Sequence, residues 1–328
     1  MRDAAMRDWP PLLVIAGPTA TGKSGLAIRL AEALAAQGHV AEVVSADSRQ
    51  VYRGMDIGTA KVTVLQRRDV PHHGLDLVEP DVRFSVADYA LAARAALTAI
   101  AGHAALAILV GGSGLYLRAV ARGFDTVELP HDPELRARIE RDLADRGLPA
   151  LVQRLATVAP GVAATIDTRN PRRVIRALER AELVGDVPPP PPKGYAGPSA
   201  WLGLDLDRAE HRTWIANRAR AQFGAGLLDE AAGLRRRFDP SAPAFSAIGY
   251  HEAWAVLDGR LTLEAAIDAN IGRNVAFARR QRTWFRSEPE VTWVDAAGEQ
   301  LGPAVDTAIR LIEANRRADP PPARAGRP

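Results

Sequence analysis

Cysteine is absent from all 328 residues. Its absence excludes disulfide frameworks, iron–sulfur clusters, Cys-based zinc sites and thiol nucleophiles, and fits a reducing, cytoplasmic setting. Lysine is almost absent too: of 42 basic side chains only Lys23, Lys61 and Lys193 are lysines, and the rest are Arg. An Arg bias spread along a whole chain says little about a nucleic-acid partner, and a net charge of +3 says no more. Long apolar runs are also missing. Stretches such as AALAILV (104–110) fall far short of the ~20 residues of a spanning helix, so no membrane partner is expected. LLVIA (12–16) is too short for a secretory apolar region and runs into glycine. What is present is ordinary globular composition, 47% hydrophobic and 25% charged, long enough for about two domains of ~100–200 residues.

Apolar runs bounded by Pro and Gly predict strands at 11–16, 41–47 and 104–112, with helices at about 23–36 and 86–101. Strands alternating with helices imply a parallel sheet covered on both faces, which binds ligands at the carboxyl ends of its strands. From about 132 to 184 the pattern is helical and rich in Arg, with no strand signal. VGDVPPPPPKG (184–194) must then leave helix, because proline has no N–H to donate; it reads as a linker. WLGLDLD (201–207) and VTWV (291–294) read as strands, with helices at about 208–222, 226–237, 250–257 and 262–285. The expected fold is therefore α/β, a P-loop-containing parallel sheet with helices on both faces and a mostly helical insertion. The expected division is 9–130 for the first part of the core, 131–195 for the insertion, 196–300 for the second part of the core, and 301–328 for a helix end and a disordered tail.

GPTATGKS (17–24) satisfies G-x-x-x-x-G-K-[ST] and lies between a strand and a helix, as that motif requires. The backbone N–H groups of the loop and of the helix start can wrap an anion; Lys23 adds a point charge, and Ser24 a hydroxyl for Mg²⁺. In a chain so poor in Lys, Lys23 points to a need for a compact ammonium. A nucleotide-hydrolysing enzyme usually carries an acid at the end of a neighbouring strand. LAILV ends instead in GGSGLY, without one, and the acid at a strand end is Asp47 in SADSRQ. Asp47 reads either as a catalytic or metal-linked carboxylate or as a cap on the following turn. His72 and His73 lack partners at metal-ligand spacing and read as part of a loop near the cleft mouth.

In sequence order, GPTATGKS (17–24), SADSRQVYRGMDIGTAK (45–61), PHHGLDLVEP (71–80), GGSGLYLRAV (111–120), RRVIRALE (172–179), GLLDEAAGL (226–234), AIGYHEAW (247–254) and ARRQRTWFR (278–286) resemble the blocks of the tRNA dimethylallyltransferase family. The resemblance implies transfer of a dimethylallyl group from dimethylallyl diphosphate to N6 of the adenosine 3′ to the anticodon, with release of diphosphate. It implies a monomer using Mg²⁺. Asp47 matches the family's proton acceptor, and Ser113 stands where the family usually has Thr, keeping a hydroxyl. Gly17, Pro18, Thr19, Ala20, Thr21, Gly22, Lys23 and Ser24 match the diphosphate site. For the tRNA anticodon stem-loop, the resemblance implies Asp47, Ser48, Arg49, Gln50, Ser113, Arg136, Arg172, Arg173, Val174, Ile175, Arg176, Ser246, Gly249, Tyr250, His251, Arg279, Arg280, Gln281 and Arg286.

The residues themselves agree in part. Between 269 and 287 there are five Arg, no acid, and Phe277, Trp284 and Phe285 interleaved, a mixture suited to phosphates and unstacked bases, although Trp284 and Phe285 also read as core. Arg169, Arg172, Arg173, Arg176 and Arg180 share one side of a helix, with Val174 and Leu178 on another. Two positions depart from the family pattern. Asn274-Val275 stand where it has Thr-Arg, removing a positive charge that could serve the diphosphate; Arg273 lies about 200° around the helix, leaving Arg279 or Arg280 to compensate. Pro171 follows Asn170 where the family has Asp, and suits a first helical turn. A small-molecule kinase or NTPase and a catalytically silent RNA-binding relative are the rival readings.

Overall fold

The computed structural model describes residues 9–123, 132–188, 190–296 and 302–317. The expected boundaries at 130 and 131, and the tail beyond 317, lie outside the described residues. The chain forms two compact units: one comprises the chain up to Gly123 and from Gly194 onward, the other the residues between.

The larger unit begins with β1 (Leu12–Ala16), α1 (Lys23–Ala35), β2 (Ala41–Ser45), a short α2 (Val64–Arg67), β3 (His72–His73), α3 (Val86–Gly102), β4 (Leu106–Gly111) and α4 (Gly114–Ala121). The smaller unit contains α5 (Pro133–Val158, broken at Gly147, φ 75°), α6 (Pro160–Thr165) and α7 (Pro171–Val184). The larger unit resumes with β5 (Ser199–Asp205), α8 (Arg208–Gly224), α9 (Leu227–Arg237), α10 (Tyr250–Leu257), α11 (Leu263–Arg286), β6 (Val291–Asp295) and α12 (Gly302–Arg317).

The six strands form one parallel sheet in the order β3-β2-β4-β1-β5-β6. Because strand side chains alternate between faces, β1 feeds two cores. Leu12, Val14 and Ala16 join Tyr89 and Leu97 of α3 and Ile271 and Phe285 of α11. Leu13 and Ile15 face the other way, onto Leu26 and Leu30 of α1 and Ala308 and Ile312 of α12. α12 is a full helix of 16 residues, where the sequence suggested only a helix end.

β2 stops at Ser45, two residues before the expected end, because the Asp47 carboxylate takes the N–H of Arg49 at 2.8 Å and turns the chain. His72 and His73 form a two-residue edge strand on β2 instead of a loop at the cleft mouth. His73 and His103 both bond the buried Glu42 carboxylate, at 2.7 and 2.8 Å, so they serve this edge of the sheet. The two imidazoles hold the Glu42 carboxyl below its usual range against the opposing effect of burial.

In the smaller unit Leu135, Ile139, Leu155, Val174, Ile175 and Leu178 make a separate core. Asp132 and Asn170 cap α5 and α7 through their side-chain oxygens, each ahead of a proline at the helix start, where its missing N–H leaves no partner unsatisfied. Among the described residues no helix is long and apolar enough to cross a membrane.

Candidate functional site

Parallel strands bring the turns after β1, β2 and β4 to one end of the sheet. There they line a pocket of about 220 Å³. One wall is the loop after β1. Ala20 is held at φ 60° and Gly22 at φ 80°, a left-handed turn of the kind that gathers N–H groups into an anion nest. Gly17 must be glycine on two counts: its φ is 149°, and a Cβ there would lie 2.5 Å from the Leu204 carbonyl oxygen. Lys23 is buried and donates to the Pro18 carbonyl, which also accepts from Thr21 Oγ1 at 2.9 Å. Burial, aided by the charge of Arg218, pushes the Lys23 ammonium down to about 7, opposed by Asp47. Ser24, half-buried, completes this wall.

The opposite wall comes from β2 and β4. Asp47 is the one carboxylate among the lining residues. Oδ1 holds the Arg49 N–H, so the turn-capping reading is correct, and Oδ2 has no partner among the described residues. Ser113 Oγ accepts the Ser48 N–H at 2.9 Å, while the Ser113 N–H bonds the Ala46 carbonyl at 3.2 Å. The two turns are therefore stitched together, and the Ser113 hydroxyl has no acceptor for its proton among the described residues.

Two side chains from distant helices close the pocket. Arg218 of α8 donates to Thr19 Oγ1 at 2.7 Å and to Asn274 Oδ1 at 3.0 Å, and its Nε is buried without a partner. Burial lowers its guanidinium to about 10, against the pull of Asp47. Sequence reasoning missed Arg218. The available signal was its spacing: Ile215, Arg218 and Gln222 fall on one helix face, beside the buried Ala219 and Phe223. Gln281 of α11 takes the Thr19 N–H at 2.8 Å and donates to the Gly112 carbonyl at 2.9 Å.

The Asn274-Val275 departure resolves differently from its expectation. Asn274 holds Arg218 and is itself tied to Asn270 Oδ1 at 2.7 Å. Val275 lines a neighbouring cleft, not this pocket. The pocket's guanidinium is thus Arg218, whereas Arg279 and Arg280 are absent from its lining and Arg273 is committed to Glu252 at 2.6 Å.

A model of the family described as IPP transferase matches residues 50–288. The chain belongs to the IPP transferase family. It is 44% identical over 308 residues, 92% of this chain and 98% of the relative, to a protein of Roseiflexus sp. (strain RS-1) named tRNA dimethylallyltransferase. A protein of the same name from Anaeromyxobacter sp. (strain K) is 46% identical over 289 residues, 86% of this chain and 92% of the relative. Among solved structures, the tRNA isopentenylpyrophosphate transferase of Bacillus halodurans matches with a TM-score of 0.69 and 37% identity over 93% of this chain and 98% of that one. A eukaryotic dimethylallyltransferase shares the fold at a TM-score of 0.72 with 21% identity, over 92% of this chain and 78% of that one.

The remaining residues expected to serve this family's RNA substrate divide by exposure. Tyr250 is wholly buried; its hydroxyl donates to Glu230 at 2.7 Å, and that carboxylate also takes the N–H groups of Asp56, Ile57 and Gly58. Three of the sequence blocks meet at Glu230, which makes Tyr250 a brace and not an RNA contact. Gly249 supplies the start of α10 at φ 116°. Gln281 is likewise spent internally, and Gln50 donates to the Thr59 and Ala60 carbonyls.

Ser246 and His251 are exposed, as are Arg279, Arg280 and Arg286. Arg49 reaches the Pro243 carbonyl at 3.1 Å. Phe285 is core; Trp284 is half-buried beneath the Arg118 guanidinium, 4.3 Å from its ring. Phe277, by contrast, lines the pocket at the loop after β1.

In the smaller unit, Val174 and Ile175 are core side chains and offer no surface to a ligand. Arg136 and Arg176 converge on buried Glu179, at 3.7 and 2.7 Å. Arg172 and Arg173 remain exposed. Arg180 is buried and bonds the Val187 carbonyl, so it does not share the solvent face expected of it.

Proposed function

We infer that the protein transfers a dimethylallyl group from dimethylallyl diphosphate to N6 of the adenosine 3′ to the anticodon of tRNA. One observation carries this reading: a phosphate-holding loop and a single carboxylate face each other across one pocket in a chain of the IPP transferase family. Loop N–H groups, Lys23 and Arg218 bind the diphosphate and take up the charge that builds on the leaving oxygen as the C–O bond breaks. The exocyclic amine attacks the allylic carbon, and its proton passes to Asp47 Oδ2; an aromatic amine is a weak nucleophile that gains from such an acceptor. Ser113, positioned by Ser48, donates to the substrate beside Asp47.

The Ser24 hydroxyl is a hard oxygen donor in the same pocket and fits Mg²⁺, which usually combines one or two protein oxygens with those of a phosphate substrate. A bound Mg²⁺ would offset diphosphate charge.

In the smaller unit, we propose Arg172 and Arg173 as tRNA contacts. Their exposure supports this role, and Val174 and Ile175 would set the helix face that presents them. Incubation of unmodified tRNA with labelled dimethylallyl diphosphate and Mg²⁺ should label N6 of the target adenosine. ATP consumption in its place would support a kinase or NTPase, a reading the lack of a carboxylate after β4 disfavours. RNA binding without labelling would point to a silent relative.

A further inference from the structure

α8 and α11, which supply Arg218 and Gln281 to the first pocket, enclose a second cleft of about 490 Å³. Ile215, Val275 and Ala278 form its floor, and its rim is formed largely by Arg208 and Arg212 of α8 and Arg279, Arg282 and Arg286 of α11. No acid is among the lining residues. Arg282 and Arg286 share one counter-charge, Asp205, at 2.7 and 3.0 Å. Arg208, Arg212 and Arg279 have no ion pair among the described residues. Five guanidinium groups thus line the cleft, against two nearby carboxylates: Asp205, paired to Arg282 and Arg286, and Asp207, which acts on Arg282 from the start of α8. Repulsion among like charges gathered around one cleft is unfavourable unless solvent or an anion offsets it.

The cleft is joined to the diphosphate site through one buried residue. His211 Nε2 donates to the Thr19 carbonyl at 2.7 Å, and Nδ1 accepts from Arg282 Nη2 at 3.2 Å. Thr19 is the loop residue that Arg218 and Gln281 hold. Any phosphate bound in the cleft therefore lies one imidazole away from the reacting diphosphate. An RNA whose base reaches that pocket must bring its own backbone phosphates close to it. Arginine forks suit phosphate oxygens, and Arg208, Arg212 and Arg279 are exposed, so a chain can reach them from solvent.

We propose that the cleft between α8 and α11 is a second phosphate site, which holds a backbone phosphate of the RNA substrate through Arg208, Arg212 and Arg279. It rests on the reading of tRNA as substrate and adds α8 to the RNA-binding surface. In this chain Val275 leaves the floor of the cleft uncharged, so α8 and the outer positions of α11 supply all of its positive charge.

The test is binding of an anticodon stem-loop RNA to the full-length R208Q/R212Q variant over a range of salt concentrations. Neither side chain has an ion-pair partner among the described residues, so thermal unfolding should match wild type. Affinity should fall by about 10- to 100-fold, the scale of missing charge-assisted hydrogen bonds. The slope of log K against log salt should shrink by about 1 for each phosphate no longer held. R94Q/R220Q removes the same charge from outside the cleft and should leave both nearly unchanged. If the double variant misfolds, R212Q alone provides the same measurement.

Unchanged affinity and slope in the cleft variant, with wild type binding normally, would overturn the proposal alone. Loss of inorganic phosphate binding with stem-loop binding intact would also overturn it, by making the ligand a free anion. Failure of wild type to bind the stem-loop would overturn the proposal together with the functional reading beneath it.

Discussion

Replacing Lys23 with Met should stabilise the fold while abolishing use of the diphosphate. Burial, with the charge of Arg218 nearby, lowers the ammonium from 10.5 to about 7. Below pH 7 the amine is charged in both folded and unfolded chains, and its full burial cost is present. Between about 7 and 10.5 the unfolded chain holds a proton that the folded chain has released, so the stability of wild type rises with pH across that window. Linkage gives a cost of roughly 4–5 kcal/mol at pH 6 and about 2 kcal/mol at pH 9.

Methionine removes that cost, together with a hydrogen bond to the Pro18 carbonyl worth about 1 kcal/mol. The carbonyl keeps its bond from Thr21. Urea unfolding should therefore show Lys23→Met more stable than wild type, by about 2–3 kcal/mol more at pH 6 than at pH 9. The same variant should not bind dimethylallyl diphosphate detectably. A stability difference that is equal at the two pH values, or larger at pH 9, would refute the burial argument.

Asp47→Asn should leave the diphosphate KM within a few-fold and lower the single-turnover rate by ~10²–10⁴, the range for a general base; an undiminished rate would remove Asp47 from the chemistry. Arg218→Gln should raise the diphosphate KM by ~10–100-fold, the scale of hydrogen bonds from a charged donor, with tRNA affinity close to wild type; equal losses in both would make Arg218 a structural residue. Arg172→Gln with Arg173→Gln should weaken tRNA binding and reduce its salt slope by about 1–2 without altering the diphosphate KM, and titration of tRNA at several salt concentrations checks it.

The elements that position the proposed catalytic side chains were legible because their signals are local. A five-residue apolar run, a glycine-rich turn and a helix start are contiguous in sequence, and Asp47 follows another apolar run directly. The closing residues were not legible in this way. Arg218 and Gln281 reach the loop from 199 and 262 positions away; in sequence Arg218 is one polar residue among many on an amphipathic helix, and Gln281 stands out only through its block, where an RNA role was expected of it. Tyr250 shows the complementary error. It lies in a block associated with RNA, yet its hydroxyl is consumed by Glu230; a motif marks a residue as needed without saying whether it touches the ligand or holds the loop that does.

Scarcity of lysine acquires a physical reading from the geometry around each buried ammonium. Lys61, like Lys23, is buried, and its ammonium donates to the Tyr52 carbonyl at 2.8 Å and to Asp56 and Asp76 at 2.6 Å each. Three acceptors around one point match the three donors of an ammonium. A planar guanidinium would spread its donors in one plane and need more volume. Lys23 likewise fits a loop whose backbone closes tightly around it. The exposed roles that lysine could share are filled by arginine, on the rim of the α8–α11 cleft and on α7. Side-chain shape, more than net charge, thus separates the buried cations that build the pocket and the fold around it from the exposed ones available to a polyanion.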